Sequence, residues 1–316
     1  MLSRFLQSGQ LTLALCVVYG AVMALVAPGF ASLENWGNVL MAMLPLLVVA
    51  TGQTIVLITA GIDLSVTSII ALTSITGAAL ITADAGPLAG NPVATPVAIL
   101  VMLLVGGGIG LFNGGCVTWL KMPPFIVTLT TMMFLSGLAI WLTQSRAIYN
   151  LPTSFLMIGK QVWIAALITI GVAFAAQLLL ARTLLGLGWR AVGYNPQTAR
   201  VSGVPVTRVT VLAYVLSGVC AAIASVLITG QLETGSPVHW KNNLLDVIGA
   251  TVIGGTSLYG GRGSVVWTVS GVLLLSLIDN SLNLLNLSHF SIMMTKGGVI
   301  LLAAFLDTLR HRAANQ

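Results

Sequence analysis

Charge is what this sequence has least of. Acidic and basic side chains make up 6% of its 316 residues, against 57% hydrophobic residues and a mean hydropathy of +1.02. A water-soluble domain of this size carries roughly a quarter charged residues, so lipid must solvate most of this surface. Cysteine is scarce as well: Cys16, Cys116 and Cys220 lie in apolar runs, with neither a disulfide framework nor metal-ligand spacing, and read as small packing residues. The histidines, His239, His289 and His311, stand far apart. No HExxH, Ser-His-Asp set or pair of catalytic carboxylates is present, which argues against an intramembrane enzyme.

What the sequence does have is a series of apolar runs bounded by turn residues. They fall at about Leu11–Ala27, Val39–Ala60, Leu64–Ile81, Val93–Leu120, Phe125–Thr143, Val162–Ala181, Val209–Gly230, Leu244–Tyr259, Ser264–Leu285 and Phe290–Leu306. The expected fold is an all-α polytopic membrane protein, one transmembrane domain over residues 1–316 with about ten spans. The first run follows Arg4 and has 17 residues; a signal-peptide core is usually ~7–15 residues long, so this run is read as a span.

The net charge of +6 marks orientation. With the N-terminus inside, the inner segments hold Arg4, Lys121, Arg182, Arg190, Arg200, Arg208, Arg262, Arg310 and Arg312, and the outer ones Arg146, Lys160 and Lys241, with Lys296 inside the last span. Basic residues collect in cytoplasmic loops, so both termini are expected in the cytoplasm and no nucleic-acid partner is implied. Spans two to five and seven to ten then run in opposite senses. Asp63 and Asp246 precede small-residue-rich helices at corresponding places, which suggests inverted repeats of four helices.

Several motifs have more than one reading. Asp63 in "TAGIDLSV" either caps the third span, its carboxylate accepting N–H groups near Ser65 and Val66, or takes part in gating, as Asp246 would in the other half. In "GGGIGLFNGG", Gly106, Gly110 and Gly114 form a stripe for close helix packing, and Asn113 beside them either supports that packing or lines a pathway. "GGTSLYGGRG" resembles a phosphate loop only superficially, because Gly261 and Arg262 stand where the lysine and hydroxyl residue belong. Its glycines, Gly254 and Gly255 first, more naturally shape a turn or a gate. In "LIDNSLNLLNLSHF", Asn280 and Asn283 are one helical turn apart, either a wet helix end or amides for sugar hydroxyls.

One long inner loop, about 182–208, carries Arg182, Arg190, Arg200 and Arg208 and no acid. Asn195 suits an N-cap, Pro196 the first helical position and Gly203 a left-handed stop, with Pro205 preventing resumption. A short helix presented this way is a docking element for a soluble partner.

"TAGIDLSVTS", "VGYNPQTARVSGVPVTRVTVLAYVLSGVCAAIASVLI", "VIGATVIGGTSLYGGRGS" and "NSLNLLNLSHF" resemble, in order, the permease subunits of ribose-type sugar ABC importers, the family of the ribose and galactofuranose permeases. The resemblance implies a ten-helix permease of the bacterial inner membrane, paired with an identical or paralogous second permease and served by a periplasmic sugar-binding protein. ABC ATPase subunits would drive it, with ATP and magnesium bound there and no cofactor or metal on this chain. It also implies that Gly193, Asn195, Pro196, Ala199 and Gly203, with Arg190 and Arg200 nearby, form the loop that meets the ATPase. Thr67, Trp267, Ser281 and Asn286 stand where that family usually has glycine. For the pathway, Gln53, Thr54, Asn113, Asn280 and Asn283 are the polar candidates within spans. The rival expectation is an ion-coupled secondary transporter of a small polar solute, which would need carboxylates deep in the membrane.

Overall fold

The computed structural model describes residues 10–314. They form thirteen helices: α1 (Gln10–Val26), α2 (Leu33–Ile58), α3 (Val66–Ile81), α4 (Ala94–Thr118), α5 (Pro124–Thr143), α6 (Thr153–Lys160), α7 (Val162–Arg182), α8 (Leu184–Tyr194), α9 (Pro196–Val201), α10 (Val206–Leu232), α11 (Leu244–Ile253), α12 (Val265–Leu284) and α13 (His289–Ala314). Every apolar run of the sequence became a helix. Arg4 lies outside the described residues.

Six helices, α2, α4, α5, α7, α10 and α12, are long and apolar enough to cross a membrane. The other four apolar runs are shorter helices, so the ten spans read from the sequence resolve into two length classes. The clearest difference is the eighth run. Its helix, α11, has 10 residues and is about 15 Å long, half of a ~30 Å hydrocarbon core. It stops because Gly254 caps it and Gly255, at φ +91°, turns the chain left-handed, after which residues 256–264 run as irregular chain with one turn.

Helices α2 and α10 form the centre, and most of their apolar stretches are buried inside the protein. Around them α4, α5 and α7 leave Leu104, Phe112, Phe134, Trp141, Trp163 and Phe174 exposed, the surface expected of helices whose outer face meets lipid. The closest packing joins α4 to α10. A side chain added at Gly106 would meet the Gly218 carbonyl at 2.5 Å, and one at Gly114 the Val211 Cα at 2.8 Å, so the glycine stripe is a helix contact.

The two ends of the bundle differ in charge. At one end lie the C-terminus of α2, the α4–α5 connection with Lys121, and helices α8 and α9 with Arg190 and Arg200. Thr128 of α5 reaches the Ile62 carbonyl there (3.2 Å), and Arg262 donates to the Tyr194 hydroxyl (3.2 Å). At the other end, Ile148 and Gly235 pair their backbones (2.8 and 2.9 Å) and Lys160 meets Glu233 at 2.7 Å.

Candidate functional site

Two places in the fold carry polar groups that its packing alone does not need. The first is a cavity at the end remote from α8 and α9, between the start of α2, α11, the end of α12 and the start of α13. An ion cluster is its centre. Lys296 Nζ donates to Asp246 Oδ2 at 2.8 Å and lies 3.0 Å from Asp279 Oδ1. The side chains of Lys296 and Asp246 are 15% and 10% exposed, while that of Asp279 is 46% exposed. A cavity of about 270 Å³ lies on one side of the cluster, bordered also by Asn38, Trp240, Asn280 and Asn283. A second, of about 230 Å³, lies against the same three charged groups on the α13 side.

The local chain explains the arrangement. Asp246 sits in the first turn of α11, where an anion is favoured by the helix dipole. Asp279 and Asn283 are stacked one turn apart on α12, with Asn283 Nδ2 donating to the Asp279 carbonyl at 2.7 Å. Asn280 exchanges amide hydrogen bonds with Asn35 of α2 (3.0 and 2.8 Å), which fastens the wall. A lysine in a membrane helix costs several kcal/mol unless paired, and two carboxylates supply that pairing.

Of the pathway candidates, Asn280 and Asn283 line this cavity. The other three lie elsewhere. Thr54 bonds the Ala50 carbonyl and the Thr268 hydroxyl, both at 2.7 Å. Asn113 donates to Ser65 Oγ (2.9 Å) and accepts from Thr131 (2.8 Å). Gln53 is fully buried, with neither amide atom hydrogen-bonded. Lys296, Asp279, Trp240 and Asn38 were absent from the sequence-derived site. The lone lysine in an apolar run was the available signal for them.

Asp63 is wholly buried in a separate nest. Its Oδ1 accepts from the Ser65 N–H (3.0 Å) and hydroxyl (2.6 Å), and its Oδ2 from Ser217 of α10 (2.8 Å). The carboxylate closes the turn before α3 and leaves the Val66 N–H alone: Ser65 occupies the cap position, without a side-chain cap bond. The expected helix cap is therefore a turn cap. The reason is that the chain stays irregular through Ser65, which puts Asp63 too early to reach the helix.

The second place is the α8–α9 element. Asn195 Oδ1 accepts from the Gln197 and Thr198 N–H groups (2.9 and 3.0 Å), Pro196 opens α9, and Gly203 takes φ +83°, as the sequence pattern requires. Helix α8 was not foreseen. Thr183 caps it through the Gly186 N–H (3.3 Å), and buried Trp189 pins it by donating to the Val209 carbonyl (2.8 Å). Gly193 abuts the Ile58 carbonyl and the Gly261 N–H so closely that no side chain fits. Ala199 is buried, whereas Arg200, Val201 and Tyr194 are exposed. Gly254 packs against the backbone of Trp267 and Thr268, so it and Gly255 make the turn that ends α11.

Residues 35–304 match the family described as branched-chain amino acid transport system / permease component. The chain is 37% identical over 292 residues to the ribose import permease protein of Bacillus subtilis, covering 90% of this chain and 88% of that one. It is 33% identical over 310 residues to the ribose import permease protein of Escherichia coli K12 (96% and 94%), and 32% identical over 294 residues to the L-arabinose transport system permease protein of the same strain (92% and 87%). This chain is a ribose-type ABC importer permease. No solved structure matches it. The permease is a multi-pass membrane protein whose family label mentions amino acids, while its relatives' names specify sugars. Its exposed α9 and its polar cavity lie at opposite ends of the bundle.

Proposed function

We propose that this permease is the membrane subunit of an ATP-driven importer that carries a monosaccharide, or a similar small polar solute, from a periplasmic binding protein to the cytoplasm. Two permease chains, identical or paralogous, enclose the passage in the bacterial inner membrane, and ATPase subunits binding ATP and magnesium drive it. The observation that carries the reading is the α8–α9 element. It presents a capped helix with exposed Val201, Tyr194 and Arg200 beyond the spans, on the basic end that the positive-inside rule assigns to the cytoplasm. Arg190, Gly193, Asn195, Pro196, Ala199, Arg200 and Gly203 build the element that meets the ATPase, with Gly193 and Ala199 buried beneath its exposed face.

Packing supports the inverted repeat. Helix α10 packs on α4 and α3 as α2 packs on α12 and α11, and α3 meets α5 as α11 meets α13. Asp63 and Asp246 then hold equivalent places after α2 and α10.

The test is uptake of radiolabelled D-ribose, L-arabinose and D-allose into proteoliposomes containing the permease, its genomically adjacent ATPase and binding protein, with ATP supplied at the ATPase side. Accumulation dependent on all three proteins is expected; accumulation by the permease alone, driven by an ion gradient, would refute the proposal. Gly203→Val should impair coupling without unfolding the bundle. Nothing lies within 4 Å of its added Cβ, so the penalty is the left-handed conformation, roughly 1–2 kcal/mol. Uptake should fall while the permease's melting temperature moves little.

A further inference from the structure

The ion cluster does more than balance a lysine. Lys296 brings one positive charge and Asp246 and Asp279 two negative ones, which leaves a formal local charge of −1 beside the cavity. The more exposed acid is Asp279, so the carboxylate still open to a solute is negative, while the ammonium is held between two oxygens at 2.8 and 3.0 Å. Beside it the exposed Asn283 uses its amide N–H groups on Asp279 and keeps its carbonyl oxygen for a donor. Asn38, exposed at the same cavity, adds both kinds of hydrogen-bonding atom. Trp240 supplies a flat apolar face, and its backbone sits at φ +60°, a conformation a bulky residue adopts only where its surroundings fix it.

An aromatic face, amides with free acceptors and one available carboxylate match a polyol. The cavity's ~270 Å³ is just below the ~300–1,000 Å³ of most ligand pockets, which suits a solute no larger than one sugar ring. We propose that this cavity is a way station for a single uncharged sugar or amino sugar, and that Asp279 is its selectivity residue, turning away sugar acids and sugar phosphates. The station rests on the import reading above and adds to it a residue that selects by charge. It also explains why the cluster has two acids for one base: with one, the site would be neutral and would not discriminate by charge. A solute coming from the end opposite α8 and α9 meets this rim first, about 12 Å of α2 separating Asn38 from Leu46 at its floor.

The test uses the full-length permease in lipid nanodiscs and measures equilibrium binding by ligand-observed NMR. D-ribose, L-arabinose, D-allose and D-glucosamine serve as uncharged and cationic probes, and D-glucuronate as the anionic one. At least one neutral probe should bind, and glucuronate should bind at least about tenfold more weakly, the size that facing like charges produce. Asp279→Asn, at a half-exposed position, should narrow that gap at least about fivefold, whatever it does to the neutral sugar's own affinity. Asn283→Leu should weaken the neutral sugar about fivefold or more by removing its hydrogen-bonding partner. A purely structural salt bridge would shift both probe classes alike in Asp279→Asn, and that result overturns the proposal. So does a wild-type protein that binds no neutral probe. If proteoliposome uptake succeeds while nanodisc binding fails, the station falls and the import reading stands; if uptake fails with every probe, both fall.

Discussion

Lys296→Met is expected to destabilise the permease by about 3–5 kcal/mol, because removing one partner of a buried ion pair strands the other charge. The stranded group is Asp246, whose side chain is 10% exposed and whose remaining neighbour, Asn243 Nδ2, is 3.4 Å away. Adding Asp246→Asn should return most of the loss, since a neutral amide tolerates the vacated site. Unfolding in mixed micelles, followed for the two single variants and the double, measures the coupling. A Lys296→Met protein as stable as its parent would mean that water reaches the pair freely, and the cluster would then have no structural weight. Asp279, more exposed, should matter less: Asp279→Asn leaves the Lys296–Asp246 pair in place and is expected to change stability by under about 1 kcal/mol.

Gly110→Leu should also destabilise the permease, by a different route. A Cβ at Gly110 already meets backbone of the facing helix, the Tyr214 carbonyl carbon and the Val215 Cα, both at 2.8 Å. Backbone cannot swing aside as a side-chain end can, so α4 and α10 must separate. Their separation takes Gly106 and Gly114 out of contact as well, and it opens the Asp63 nest, which includes Asn113 of α4 and Ser217 of α10. The cost should meet or exceed the upper part of the ~1–3 kcal/mol range for overpacking. Membrane-inserted yield and detergent melting temperature are the readouts. Gly137→Leu, where nothing lies within 4 Å, is the matched control and should leave both close to the parent.

How far the residues reveal the fold depends on how local the deciding interaction is. The α9 cap was legible because Asn195, Pro196 and Gly203 act on their own chain neighbours. Helix α8 was not, since Gly186, Gly188 and Gly193 weaken its local helix signal and burial of Trp189 under Val209 restores it. The same holds for α6, whose Gly159 packs against the backbone of α10. Polarity within a span showed that Asn113 and Thr54 needed partners, yet not which way they faced, and both found them inside the protein. The charged cluster was hidden by distance along the chain: Lys296 and Asp246 are 50 residues apart, and only the folding of α11, α12 and α13 against one another brings them together.

Helix α2 belongs to both working ends. Its last carbonyl, at Ile58, accepts the Gly261 N–H (2.8 Å) and faces Gly193, while some 30 Å away, at its first turns, Asn38 lines the polar cavity and Asn35 holds its Asn280 wall. Pro45 interrupts the rod between them and removes one N–H from its hydrogen-bond ladder. A shove delivered at Gly193 by the proposed ATPase would therefore have two outlets: flexure at that proline, or a shift of the cavity wall itself. A single jointed strut thus links the proposed ATPase contact to the polar cavity.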